Sequence, residues 1–286
     1  MENAIIKGVA LTTREDWNVG EHLYPSMLLT VAYSWIENYF DEKDLLKEDI
    51  GETKAREFGK IKATILAYTS DLHNISVNLC LLLDILSDTK ISAAKRHLYS
   101  NLVLENYFTN LRSLLDFIPY IIRLSLTDEE SNLFPQADSL NKLIRFSKNP
   151  NNKDKIPISI HGFLTNVEEV LNDVKTIRDL IIHKGKEILI SKEEDNRLYV
   201  RIPKTGLYST DNMLPNILNS EDVQYDLYEY IRVITKRVLT QTEDIGTILL
   251  NKTVETYKFK WNLYSIGNHC FVDFNTFMIN LKNDTV

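Results

Sequence analysis

The chain has 286 residues, of which 44% are hydrophobic and 26% charged, so it can bury a sizeable core and does not have the composition of a disordered segment. A net charge of −7 excludes a protein that coats nucleic acid with its whole surface, though it leaves room for a local basic cleft. With only 9 Gly and 7 Pro, punctuation is sparse and long helices are expected.

The first residues, MENAIIKGVALTTRED, lack the charged-then-apolar pattern of a secretory signal. Residues 23–40 carry a helical apolar pattern with Trp35, Tyr39 and Phe40. Pro25, Ser26, Thr30, Ser34 and Glu37 make this stretch too polar to span a membrane, so a soluble protein is expected. From about Glu52 to Asp88, Ile61, Ile65, Tyr68, Leu72, Ile75, Leu79, Leu82 and Leu86 recur at spacings of three and four, the period of a helix. Ser92 to about Leu126 repeats the pattern, and Pro119 should kink or divide it. Residues 127–158 read as irregular, with a short helix near Ala137–Phe146 and a polar surface loop, SKNPNNKDKIP.

A further helix is predicted from His161 or Gly162 through Ile182. EILISKE and RLYVRIP, on either side of Asn196, read as a small hairpin. The next helix is predicted to begin at Ser220, with Glu221 and Asp222 in its first turn, where the helix dipole favours acids. The aromatic tail 257–286 fits strand or helix equally. No linker divides the chain. The expected fold class is mainly α: one domain over 1–286, an antiparallel bundle of long helices with a small β-hairpin insertion.

Cys80 and Cys270 match no zinc or redox spacing. Cys80, inside NLCLLLDIL, reads as a small buried hydrophobe, and a reducing, cytoplasmic setting is expected. No two histidines have the spacing of a metal pair, and no glycine-rich phosphate loop is present, so neither metal nor cofactor is expected. His73 and His97 would meet only if the two long helices packed antiparallel. Asp84 and Asp116 lie on apolar helix faces and would each need a cationic partner if buried. The basic stretches 142–155 and 232–237 could touch RNA, but read more simply as a solvated loop and an ordinary amphipathic helix.

The stretch TIRDLIIHKGKE (176–187) concentrates chemistry. Histidine is the natural general acid or base near neutral pH, and arginine holds a phosphate and steadies extra charge on it. Asp179 could orient either, and Lys175, Lys184 and Lys186 make the patch cationic. Geometry does not pair them automatically: five α-helical residues turn the chain by about 500°, leaving Arg178 and His183 about 140° apart. They converge only if the helix loosens near Gly185 or if two copies meet on an axis. Arg-Asp on a helix and His near its C-terminus are also ordinary features of amphipathic helices.

RDLIIH, following two long helices, resembles the R-x4–6-H signature of the HEPN superfamily, and YFTNLRSLLDFIPYII (107–122) resembles the long helix of several bacterial HEPN families. The chain looks like the large stand-alone bacterial forms, with a core at about 52–250 and extensions at 1–51 and 251–286. The resemblance implies a metal-independent endoribonuclease, often a toxin or phage-defence effector. His183 would be the catalytic histidine, Arg178 the phosphate contact and Asp179 the polar residue beside it, with Lys175, Lys184 and Lys186 contacting RNA. It also implies a homodimer whose two motifs line one cleft, and a possible antitoxin or defence partner. The alternative is a non-catalytic helical module that binds a nucleotide or a partner protein.

Overall fold

The computed structural model describes residues 4–11, 24–39, 52–192, 197–206, 211–254, 259–267 and 269–279. Strands β1 (Ala4–Leu11) and β2 (Tyr24–Pro25) lead into helix α1 (Met27–Tyr39). The long helices α2 (Glu52–Ser87) and α3 (Ala93–Asp116) follow the predicted apolar periodicity closely. Pro119 divides the second long segment as expected, because it lacks the N–H that a continuing helix needs. The chain breaks at Phe117, and α4 (Ile118–Leu124) starts with the proline in its first turn.

Residues 127–158 are more helical than expected. They form α5 (Asp128–Leu133), α6 (Leu140–Ser147) and a 3₁₀ turn (Pro150–Lys155). The missed α5 had a local signal. Thr127 and Glu130 form a reciprocal capping box, the T-x-x-E arrangement that satisfies two otherwise unpaired N–H groups. Helix α7 (Ile158–Arg178) ends four residues earlier than predicted and gives way to a π turn (Asp179–His183). Strands β3 (Leu189–Lys192) and β4 (Leu198–Arg201) pair antiparallel as the expected hairpin, with Asn196 outside the described residues.

Helix α8 (Leu227–Val254) begins seven residues after Ser220, preceded by the short strand β5 (Tyr225–Asp226). Ser220 instead closes a local turn, its hydroxyl 2.7 Å from Asp222. Asp226 Oδ1 takes the capping role, accepting from Glu229 N at 2.9 Å. In the tail, strand β6 (Phe259–Ile266) is followed by helix α9 (Cys270–Ile279). Across the described residues the protein is mainly helical, with two small three-stranded sheets. No helix among the described residues is long and apolar enough to cross a membrane.

α2 packs on α3, α3 and α8 both pack on α7, and α8 also packs on α3. Their shared interior holds Tyr68, Tyr107, Phe108, Leu111, Leu171 and Ile231. At its centre the Tyr107 hydroxyl lies 2.6 Å from Thr235 Oγ1, which in turn donates to the Ile231 carbonyl, so two buried polar groups are satisfied in series. The first and last described strands meet: β1 and β6 pair in parallel over all eight positions, from Ala4–Phe259 to Leu11–Ile266.

The polar residues of α1 serve the part of the β1 edge that β2, paired only at Ala10 and Leu11, leaves uncovered. Ile5, Lys7 and Val9 turn their N–H groups away from β6, where Asn38, Ser34 and Thr30 side chains accept them at 2.7, 2.7 and 3.0 Å. Spacing of four along the helix thus matches spacing of two along the strand, and the backbone donors are paired without another strand.

Candidate functional site

The last turns of α7 bury Val170, Leu171, Val174 and Ile177 against the core, and Leu180 continues that face into the π turn. Lys175, Arg178 and Asp179 therefore face outward. The α-helical bond pattern stops at Arg178. Lys184 N donates to the Asp179 carbonyl at 3.2 Å, an i→i+5 bond, and Lys186 N reaches back to the Leu180 carbonyl at 3.0 Å. Gly185 at φ +57 makes that reversal, a backbone region where other residues are strained.

An i→i+5 bond widens the helix so that residues five apart come into register, as residues four apart do in an α-helix. The obstacle raised by α-helical geometry is removed in this way. Arg178 Nη2 lies 3.3 Å from His183 Nε2. Asp179 Oδ1 lies 3.5 Å from Arg178 Nη1 and 3.7 Å from His183 Nε2. One ring nitrogen is thus placed between a permanent cation and a carboxylate. Arg178 can only donate, so in this contact Nε2 is the acceptor and the ring proton sits on Nδ1. Arg178 and Asp179 side chains are each 32% exposed and His183 is 60% exposed, so a phosphate in solution can reach all three.

The flanking lysines differ. Lys184 ends the π turn and is exposed, while Lys175 is half-buried one helical turn before Arg178. Lys186 Nζ is committed to the Lys204 carbonyl at 2.8 Å, tying the turn to the strap that follows β4. The fold also gives His97 a setting that the sequence did not mark. His97 on α3 lies 3.6 Å from Glu187 Oε2, and its Nε2 is 3.1 Å from Asn101 Nδ2. This places a second histidine beside the segment leaving the motif. No local signal could have found it, since 90 residues separate His97 from Glu187.

Other expectations resolve structurally. His73 and His97 take different partners: the His73 ring packs edge-on to Phe271 at 5.4 Å. Asp84 is exposed on α2, so the cationic partner that a buried carboxylate would need is not required there. Asp116 pairs with Arg112, which is 6% exposed, at 2.8 Å and also accepts from Leu140 N. Cys80 is only half-buried rather than a core residue, because the helix phase turns Leu79 and Leu82 inward and leaves position 80 at the margin.

Several cations of the basic stretches have partners within the fold. Lys142 pairs with Asp138 and Lys148 with Glu168. Arg237 holds both Glu169 and Asp173 of α7 at 2.8 Å, and Arg232 lies over the Phe277 ring. Among the described residues, no group of three His, Cys, Asp or Glu is arranged to hold a metal. A cavity of about 360 Å³ between α1, α2 and α4, lined by Trp35, Lys60, Tyr120 and Arg123 among others, shares no residue with the 178–183 cluster.

Comparison with protein-family models, with curated proteins and with solved structures gives no match to this chain. The functional reading therefore rests on the residues themselves.

Proposed function

We propose that this protein is an HEPN-like, metal-independent endoribonuclease acting at single-stranded or looped RNA. The observation that supports it is the π turn, which sets Arg178 and His183 within 3.3 Å of each other at a solvent-accessible helix end. That arrangement suits cleavage by the RNA's own 2′-hydroxyl. Arg178 turns to the phosphate, balancing the added negative charge on the phosphorus oxygens and freeing His183 Nε2 to accept the 2′-hydroxyl proton as the O2′–P bond forms. The P–O5′ bond then breaks, the 5′-oxygen takes up the proton that His183 accepted, passed on through water, and the products are a 2′,3′-cyclic phosphate and a free 5′-hydroxyl. Asp179 steadies the ring and the guanidinium, and Lys175 and Lys184 attract the RNA backbone. A single-stranded target follows from the chemistry, since phosphate and 2′-hydroxyl must be splayed for in-line attack.

In this reading the long helices form an antiparallel bundle from about 52 to 250. Two copies pair so that their motifs share one cleft, and the biological setting is a toxin or phage-defence effector with its own neutralising or activating partner. The test is product analysis. Purified protein is incubated with mixed RNA in EDTA, and the ends are mapped. Cyclic phosphate ends, absent when the scissile nucleotide is 2′-deoxy, support the proposal. Measurable nucleotide binding with intact RNA points instead to a non-catalytic binding module.

A further inference from the structure

The chain's two cysteines are 190 residues apart in sequence, yet the fold brings them together. Cys80 sits on α2 and Cys270 opens α9. Cys80 Sγ lies 3.8 Å from the backbone oxygen of Cys270 and 3.8 Å from Asp273 Oδ2, so the two cysteines are immediate neighbours.

Packing on both sides of α9 fixes this approach. Phe271 and Phe274 are 1% and 3% exposed, and the Phe271 ring meets His73 of α2. Further along, Phe277 lies 6.2 Å from the Tyr228 ring and under the Arg232 guanidinium, so the helix is also anchored on α8. Both cysteines are nonetheless partly exposed, within reach of small reagents.

We propose that Cys80 and Cys270 form a reversible redox modification site, closed to an intramolecular disulfide by exchange with a low-molecular-weight disulfide such as oxidised glutathione. Cys270 thiolate attacks one sulfur of the small disulfide, forming a mixed disulfide and releasing one small thiol. Cys80 thiolate then attacks the Cys270 sulfur, closing the protein disulfide and releasing the second small thiol. Two protein thiols are oxidised and one small disulfide is reduced to two thiols, so electrons balance.

The order of attack follows from the surroundings. Burial, then the neighbouring Cys270 and Asp273, push the Cys80 thiol up to about 12, so it is the sulfur that stays protonated at first. Once Cys270 is in a mixed disulfide it carries no charge, and its share of that penalty disappears. Closure fastens the C-terminal helix to the central helix α2 across most of the chain, a long loop whose closure restricts the unfolded state.

The experiment uses the full chain in graded mixtures of reduced and oxidised glutathione, quenched in acid, alkylated and mapped by peptide mass spectrometry and non-reducing gels. The expected result is joint loss of both thiols to a Cys80–Cys270 cross-linked peptide in monomeric chains, reversed by dithiothreitol. The oxidised form is expected to melt roughly 5 °C higher. Cys80→Ser is expected to stop at a mixed disulfide on Cys270. A persistent mixed disulfide in the wild type, or cross-linked dimers in place of the internal bridge, would overturn the proposal. So would two free thiols under conditions that oxidise the urea-unfolded chain.

Discussion

Substitution of Gly246 by alanine tests how closely α8 approaches α1. A Cβ at this buried position would lie 2.5 Å from Leu28 N, 2.6 Å from the Met27 carbonyl carbon and 2.7 Å from Met27 Cβ. Ordinary contact begins near 3.4 Å, so the gap is short by about 0.9 Å. Two of the three atoms are backbone and cannot rotate away. Leu28 and Leu29 are fully buried, so α1 cannot back off without opening the core. A shift would also stretch the 2.8 Å bond from Met27 N to Glu243 Oε2, which caps α1 from α8. Overpacking costs about 1–3 kcal/mol, with the upper part expected where backbone is met, and losing the cap adds about 1 kcal/mol. Alanine's better helix propensity returns about 1 kcal/mol. Gly246→Ala should therefore lose about 2–3 kcal/mol in urea unfolding followed by circular dichroism. Gly162→Ala is the control. It lies exposed in α7 with nothing within 4 Å of the added carbon, and should gain up to about 1 kcal/mol. A Gly246→Ala protein as stable as wild type, alongside a stabilised Gly162→Ala, would refute the close approach.

Thr235→Val should cost about 2 kcal/mol, because it strands the buried Tyr107 hydroxyl, whereas Tyr107→Phe should cost about 1 kcal/mol since Thr235 still donates to Ile231; equal losses in paired denaturation curves would contradict this chain of bonds. Burial lowers the affinity of His73 for a proton, and its Nε2 is enclosed with no hydrogen-bond partner among the described residues. As pH falls through the ordinary histidine range, about 6.5, the unfolded chain binds the proton more readily than the folded one. The contribution of neutral His73 is thus fully present above that range and lost below it. His73→Phe should show a shallower fall in urea midpoint than wild type between about pH 7.5 and pH 5, and parallel curves would show that this histidine is not the cause.

What was legible in the sequence follows the range of the interactions involved. α2 and α3 were readable because one buried stripe repeats every three to four residues, and the Pro119 break and the β3–β4 hairpin are equally local. The pairing of β1 with β6 was not, since nothing within AIIKGVAL names a partner about 250 residues away. The late start of α8 was hidden because Ser220-x-Asp222 closes a turn with the same residues that would cap a helix. For the candidate site, the residue types of 178–183 were visible but their meeting was not. It depends on an i→i+5 bond at Asp179 and a left-handed Gly185, and no side-chain pattern announces the first. The sequence around Arg237 shows only an amphipathic helix, although Glu169 and Asp173, four apart on α7, present the matching pair of carboxylates.

The central claim is that Arg178 and His183, brought together by the π turn, carry out RNA cleavage. The most direct measurement is the rate at which a short single-stranded RNA is cut in EDTA by wild type, His183→Ala and Arg178→Ala, with circular dichroism confirming each fold. The expected result is cleavage by wild type and a loss of at least about 100-fold in each variant. A wild-type protein that cuts no RNA, or a His183→Ala protein that cuts at the wild-type rate, contradicts it.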